Sequence, residues 1–280
     1  MKRKCFAFLF LTFGLVGFAQ NKKIDAANLL CSYAYEYLTD TLPGEQQRKE
    51  DLLYLQIGAE CSKCYSYYTY QCDSLMAAPN GDKQWDSFLT EAIGKGLKGK
   101  QLHNAIPHRR MTATIYKNYP QGKVTVTDFL LGQYYLYDDS LNSQEWNIES
   151  DSMKIVLGYE CQKAACYFRG RQWTAWFALD IPTSDGPWKF CGLPGLIMEV
   201  YDLGKQYYFC INGMQQVRAT PITFGVLDKK FKHFQHTSRK VFLLSKNKYL
   251  KNQNSIDEAS TGISLGIADE ALKYDLIERE

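Results

Sequence analysis

The chain has 280 residues, with 33 Lys+Arg against 30 Asp+Glu and a formal net charge of +3. A hydrophobic fraction of 45% and a charged fraction of 22% exclude a disordered chain, and so small a positive balance gives no ground for a nucleic-acid partner. Nine cysteines are many for a reducing compartment.

Lys2, Arg3 and Lys4 precede Cys5–Phe18, which carries no charge, and Gly17-Phe18-Ala19 is a small-x-small triplet before Gln20. This is the layout of a cleavable secretory signal over residues 1–19. The apolar run falls short of the ~20 residues a membrane-spanning helix needs, so no transmembrane span is expected once the signal is removed. Its removal takes away three positive charges and one cysteine, which leaves a formally neutral chain with eight cysteines. An even count in an exported chain predicts structural disulfides with open connectivity. Cys61-Ser62-Lys63-Cys64 is a CxxC, but no βαβ pattern or second metal-ligand pair accompanies it, so a disulfide is favoured over a redox or zinc site.

Most of the chain beyond the signal alternates with a period of two. Cys31, Tyr33, Tyr35 and Tyr37 share one face of a strand, and Leu52–Ile57 continues the pattern. Met111–Tyr116 and Lys123–Leu130 read as a hairpin across Pro120-Gln121-Gly122. Gln133–Tyr137, Tyr159–Phe168, Gln172–Ala178, Leu196–Tyr201 and Gln206–Asn212 complete the series. Between them, Trp85, Phe88, Leu89, Ala92, Ile93 and Leu97 form the stripe of an amphipathic helix near 83–98, with Asp82 as its N-cap. Val241–Lys251 and the tail have helical composition. The expected class is therefore mainly β (α+β): a curved antiparallel sheet with one inserted amphipathic helix and helical C-terminal segments. The expected divisions are the signal at 1–19, one domain over 20–255, and a polar helical tail over 256–280.

The densest information lies at 159–202. Two strands meet at Arg169-Gly170-Arg171, where glycine supplies a positive φ. Trp173, Ala175 and Phe177 share one face of the second strand, with Thr174, Trp176 and Ala178 on the other. Pro182 and Ser184-Asp185-Gly186-Pro187 stop the ladder. Leu193-Pro194-Gly195-Leu196 reads as a type II turn with Pro at i+1 and Gly at i+2. Trp173, Trp176, Trp188 and Phe190 gather at this corner, and two tryptophans on opposite faces cannot fill one layer, so one face is free to line a contact surface.

Gly192-Leu193-Pro194-Gly195-Leu196-Ile197 is the hexapeptide for which the GLPGLI family is named. Gly158-Tyr159-Glu160-Cys161-Gln162-Lys163-Ala164, Phe168-Arg169-Gly170-Arg171 and Gly186-Pro187-Trp188-Lys189-Phe190 resemble its other hallmarks, in order. The layout is similar from the N-terminus to about residue 250; the cysteine count and the tail beyond about 252 depart from the usual pattern. The family comprises exported proteins characteristic of the Bacteroidota, many encoded near outer-membrane receptors, and has no assigned enzymatic activity. The resemblance implies export to the periplasm, the outer membrane or the medium, an envelope partner, and no catalytic residues to carry over.

The residues themselves offer little catalytic chemistry. Asp185 and Asp202 are explained by a turn and a strand end, and Asp180 precedes a Pro-containing corner. Glu199 stands alone in an apolar strand. His233 and His236 have i, i+3 spacing but no third ligand nearby, and read as solvated in the basic run Lys229–Lys240. No catalytic residue, metal site or cofactor is expected. The binding candidates are Trp176, Asp185, Trp188, Lys189, Phe190, Leu193, Pro194 and Glu199. The leading expectation is a non-enzymatic binding or assembly factor near the outer membrane that presents the aromatic corner to a receptor or other envelope protein. A carrier of an apolar ligand such as a lipid is the alternative, and requires a cavity of ~300 Å³ or more. A thiol-redox or metal protein using Cys61, Cys64 or the His233/His236 pair is the third.

Overall fold

Period-two patterning over so much of the chain demands a sheet, and the computed structural model contains one of twelve strands. It describes residues 21–39, 48–141, 143–227, 233–252, 255–256, 258–259 and 275–279. The expected signal at 1–19, most of the tail over 256–280 and Lys229, Lys230 and Lys232 of the basic run lie outside the described residues.

The strands are β1 (Lys22–Leu38), β2 (Arg48–Gly58), β3 (Ser62–Ser66), β4 (Thr114–Lys117), β5 (Lys123–Leu130) and β6 (Gln133–Ser140), followed by β7 (Asn147–Val156), β8 (Tyr159–Phe168), β9 (Arg171–Ala178), β10 (Leu196–Asp202), β11 (Tyr207–Phe224) and β12 (Gln235–His236). Four helices accompany them among the described residues: α1 (Tyr67–Ala77), α2 (Gly81–Gly94), α3 (Gly99–Ala105) and α4 (Arg239–Lys251). The order across the open sheet is β12-β6-β5-β4-β3-β2-β1-β11-β10-β9-β8-β7. Every pairing is antiparallel except β12 with β6, so the sheet is mixed. The two longest strands, β1 and β11, pair in the middle, where Tyr33 lies beside Ile211 and Tyr35 beside Phe209.

Alternation places the core. Cys31, Tyr33 and Tyr35 of β1 and Leu53 and Leu55 of β2 are buried on one face. Trp173, Ala175 and Phe177 of β9 are fully buried on that side. β10 is buried on both faces, with Leu196, Ile197, Met198 and Val200 all inaccessible and Glu199 only 5% exposed. The β8–β9 hairpin turns on Arg169 (φ +52°) and Gly170 (φ +77°), the two successive positive-φ positions of a type I′ connection.

Several local expectations change. Gly195 does not occupy the left-handed region, so Leu193–Leu196 is not a type II turn. Its missing Cβ serves a close approach instead: a Cβ there would sit 2.1 Å from the Ala178 carbonyl oxygen. α2 is capped by Asn80, without a side-chain bond, rather than by Asp82, which lies in the first turn. Of its apolar stripe only Ala92 is buried; Phe88 and Ile93 are exposed. The segment Asp275–Arg279 is not helical, because the carbonyls of Asp275, Leu276 and Ile277 accept from Arg171 rather than from their own helix N–H groups. No helix among the described residues is long and apolar enough to cross a membrane.

Candidate functional site

The sequence-selected residues cluster in the loop between β9 and β10, and that loop points inward. Trp188 (3% exposed), Phe190 (0%) and Leu193 (1%) belong to the main core. The Phe190 ring lies 4.7 Å from Trp173, 5.1 Å from Trp188 and 6.0 Å from Phe209, mostly edge to face. The expectation that this corner is presented to a partner is corrected for these three residues: burying rings of this size outweighs any gain from displaying them to water. Of the hexapeptide, Pro194 is exposed while Leu193, Gly195, Leu196 and Ile197 are buried. Trp176, on the other face of β9, is half-buried, with the Lys154 ammonium 5.0 Å above its ring.

Charged members of the set hold the loop in place. Lys117 of β4 pairs with Asp185 and donates to the Gly186 carbonyl and, at 3.3 Å, to that of Phe190. Asp185 also accepts from the Gly186 N–H at 2.7 Å. Trp188 N–H donates to Cys64 Sγ of β3 at 3.2 Å. The loop therefore runs from β9 across the sheet face to β3 and β4. Glu199 pairs with Lys154 of β7, an ion pair that explains a carboxylate in an apolar strand without catalysis.

Lys189 is the exception to the apolar interior. It is 1% exposed and pairs with Asp139 at 3.0 Å and Glu278 at 2.5 Å. Arg169 reaches Asp139 at 2.8 Å, and Arg239 of α4 lies 3.5 Å from Glu278 and 3.7 Å from Asp139. Three cations thus surround two carboxylates, with Tyr137 Oη accepting from Lys189 at 3.3 Å. Arg171, itself 4% exposed, binds Asp202 at 2.7 Å and the Gln206 side-chain oxygen at 3.0 Å through Nη1, while its Nε and Nη2 donate to the C-terminal segment.

Beside this cluster lies a cavity of about 890 Å³. Tyr35 and Tyr37 of β1, Val126 and Leu130 of β5 and Tyr207 of β11 form its floor. Phe242, Leu243 and Tyr249 of α4, Met111 and its neighbours, and Leu276, Ile277 and Glu278 complete its lining. Its charged lining is largely internally paired: Arg109 with Asp73, Lys246 with Asp128, and Lys189 with Glu278. Arg110 differs. Among the described residues its guanidinium donates to the Glu50 carbonyl at 2.7 Å and stacks 3.6 Å from the Tyr68 ring centroid, with no carboxylate in ion-pair range.

The cysteines of the described residues form none of the expected disulfides. All eight in the described residues are free thiols. Cys64 lies within β3 and Cys61 just before it, so three residues of extended chain separate their Cα atoms by roughly 10 Å, beyond the ~7 Å a disulfide spans. Burial pushes the thiols of Cys31, Cys61 and Cys166 up to about 12 and those of Cys64, Cys161 and Cys191 up to about 11. Protonated buried thiols are poor nucleophiles and poor ligands. Iodoacetamide at pH 8 is therefore expected to spare these six in the native protein and modify them in denaturant, read by mass spectrometry. Linkage gives a second consequence. The unfolded thiols ionise near pH ~8.5 while the folded ones keep their protons, so stability falls as pH rises from there towards about 12. A urea midpoint no lower at pH 10 than at pH 8 would contradict this assignment. His233 and His236 are both exposed, and among the described residues no group of three or more His, Cys, Asp and Glu is placed to hold a metal ion.

Sequence reasoning did not select Arg171, Arg110, Met111, Lys117 or Glu278. The Phe168-Arg169-Gly170-Arg171 piece carried a signal, two cations beside a tight turn on a buried strand, but Glu278 lies more than a hundred residues away and carried none.

Residues 167–199 match a family described as a protein of unknown function (Porph_ging). No curated protein matches the chain. Two solved structures of PNGF-II, in the P21 and C2 space groups, are similar at 12% identity with TM-scores of 0.48 and 0.46. The alignments cover 79% of this chain but only 33% and 32% of those, so the chain spans about a third of their length.

Proposed function

We propose that this protein is an exported, non-enzymatic binding protein of the cell envelope that holds an apolar or amphiphilic ligand between its sheet and α4. The observation that carries the reading is the cavity of about 890 Å³, lined by tyrosine, leucine, methionine and phenylalanine side chains, within the size range of small-molecule sites. Curvature of the sheet belongs to the same reading, since one loop touches β3, β4 and β9 together. Arg110, a lining cation that makes no ion pair within 4 Å among the described residues and feels Asp51 only at longer range, suits an anionic head group. Export, and a place in the periplasm or at the outer membrane, rests on the N-terminal sequence.

Titration with a fluorescent long-chain fatty acid tests this. Saturable binding is expected, reduced about tenfold or more by Met111→Trp, which fills the cavity from its rim. Arg110→Ala is expected to weaken the ionised acid by about tenfold, in line with the ~1.5–3 kcal/mol of a hydrogen bond to a charged group, and to leave the methyl ester unchanged. Absence of saturable binding by the wild-type protein would end the reading.

An envelope protein partner is a second reading, favoured by a different surface from the aromatic corner. β7 is an edge strand, and Ile148, Met153 and Ile155 on it are 43%, 44% and 66% exposed. Among the described residues no strand pairs with its outer edge, and an open apolar edge invites a partner strand. A photocrosslinker at Ile155 should capture an envelope protein in cells; one at Trp188 should not.

A further inference from the structure

The buried cations beside the cavity are arranged around a piece of backbone rather than around one another. Arg171 donates from Nε to the Ile277 carbonyl at 3.1 Å and from Nη2 to the Leu276 carbonyl at 2.8 Å and the Asp275 carbonyl at 3.4 Å. Tyr207 Oη (2.5 Å) and Gln206 Nε2 (3.1 Å) donate to the same Asp275 carbonyl. Further along the segment, Arg279 N–H donates to the Arg169 carbonyl at 3.0 Å. The Glu278 side chain enters the space between Lys189, Arg169 and Arg239, where it is 5% exposed. Gly170 leaves room for Arg279: a Cβ at residue 170 would lie 2.5 Å from the Arg279 Cβ.

We propose that Arg169, Arg171, Lys189 and Arg239 form a receptor for a short peptide of the pattern apolar-Glu, and that Asp275–Arg279 is its resident, exchangeable occupant. Three features support a receptor over ordinary tertiary packing. The segment is held mainly by its carbonyls and the Glu278 carboxylate, with the Arg279 N–H and guanidinium donating to the Arg169 and Gly170 carbonyls, the way a peptide ligand is held, and it contributes no strand to the sheet. Without it Arg171 would keep Asp202, but Lys189, Arg169 and Arg239 would share the single carboxylate of Asp139, an excess of buried positive charge that favours an acidic occupant. Arg169, Arg171 and Lys189 all fall within the 167–199 segment that matches the family of unknown function, whereas the occupant does not. Carbonyl recognition is indifferent to side chains, so specificity rests on the glutamate and on the apolar residue before it, Ile277, which packs against the core. Leu276, Ile277 and Glu278 also line the cavity, so release of the segment would remove part of its wall; this last consequence alone rests on the ligand-binding reading.

The test uses the full chain and a synthetic peptide corresponding to residues 273–280, Lys-Tyr-Asp-Leu-Ile-Glu-Arg-Glu. In the wild-type protein the tethered segment has a local concentration in the millimolar range and should exclude the free peptide. Glu278→Lys places a cation among three cations and should eject the tethered segment, after which the free peptide binds saturably. The same peptide with Gln in place of the glutamate matching Glu278 should bind at least tenfold more weakly. A folded Glu278→Lys protein that ignores the peptide, or binds both peptides alike, overturns the proposal. Hydrogen exchange on the wild-type protein gives an independent arm that needs no variant. The Arg279 amide should exchange at least a hundredfold faster than the β9 and β10 amides, through local detachment. Exchange as slow as that of the core would mean the segment leaves only on global unfolding, and would also overturn it. Neither arm depends on a fatty-acid ligand, so failure here and failure of the cavity reading are separable.

Discussion

Lys189→Ala is expected to lower the folding free energy by about 3–5 kcal/mol, the usual cost of removing one partner from a buried ionic group. The ammonium is 1% exposed and faces Asp139 and Glu278, themselves almost wholly out of water. Without it, Arg169 and Arg239 are left to compensate both carboxylates from 2.8 to 3.9 Å. In a chain of this size the loss corresponds to a fall in Tm of roughly 10 °C. Lys189→Met keeps most of the side-chain volume and separates charge from packing. If Lys189→Met unfolds in urea within about 1 kcal/mol of wild type, the charge is not what holds the loop and the C-terminal segment together.

Gly195→Ala is expected to cost more than about 3 kcal/mol or to prevent accumulation of folded protein. The added Cβ would stand 2.1 Å from the Ala178 carbonyl oxygen and 2.6 Å from its carbon, both backbone atoms at the end of β9, which is paired on both sides within the sheet. Leu196 N–H is fixed to the Ile181 carbonyl at 3.0 Å and Leu196 pairs with Ala178, so the approach is held from both sides. Pro194→Ala, one residue earlier and exposed, is the control and should stay within about 1 kcal/mol. Equal stability of the two variants, measured by denaturant unfolding, would remove the steric account of this glycine.

These two residues show how much of the site could be read in advance. Lys189, Leu193 and Pro194 are binding candidates in the sequence because they lie in the motif series at the aromatic corner; that Lys189 and Leu193 lie inside follows from partners no local pattern reveals. Lys189 is stabilised by Asp139, fifty residues earlier, and Glu278, nearly ninety later. Gly195 looked like a turn glycine because Pro-Gly is the signature of a type II turn. Only the return of β9 beside it shows that space, not a positive φ, requires the missing side chain.

Alternation alone marked most of the strands, because a half-buried strand writes its burial into every second residue: Tyr159–Phe168 is β8, and Gln172–Ala178 lies within β9. The sequence also indicated α4 and the β8–β9 turn, whose signals are local. It carried no account of β3, where a CxxC drew attention to chemistry rather than to extension, nor of β7, whose face is too exposed to alternate cleanly. The tertiary structure alone decided which side of the aromatic corner is wet, where the cavity lies, and that Arg169, Arg171 and Lys189 converge on Asp275–Arg279. Those facts depend on the packing of residues far apart in the chain, and burial of a charge or a ring is a property of that packing rather than of its neighbours in sequence.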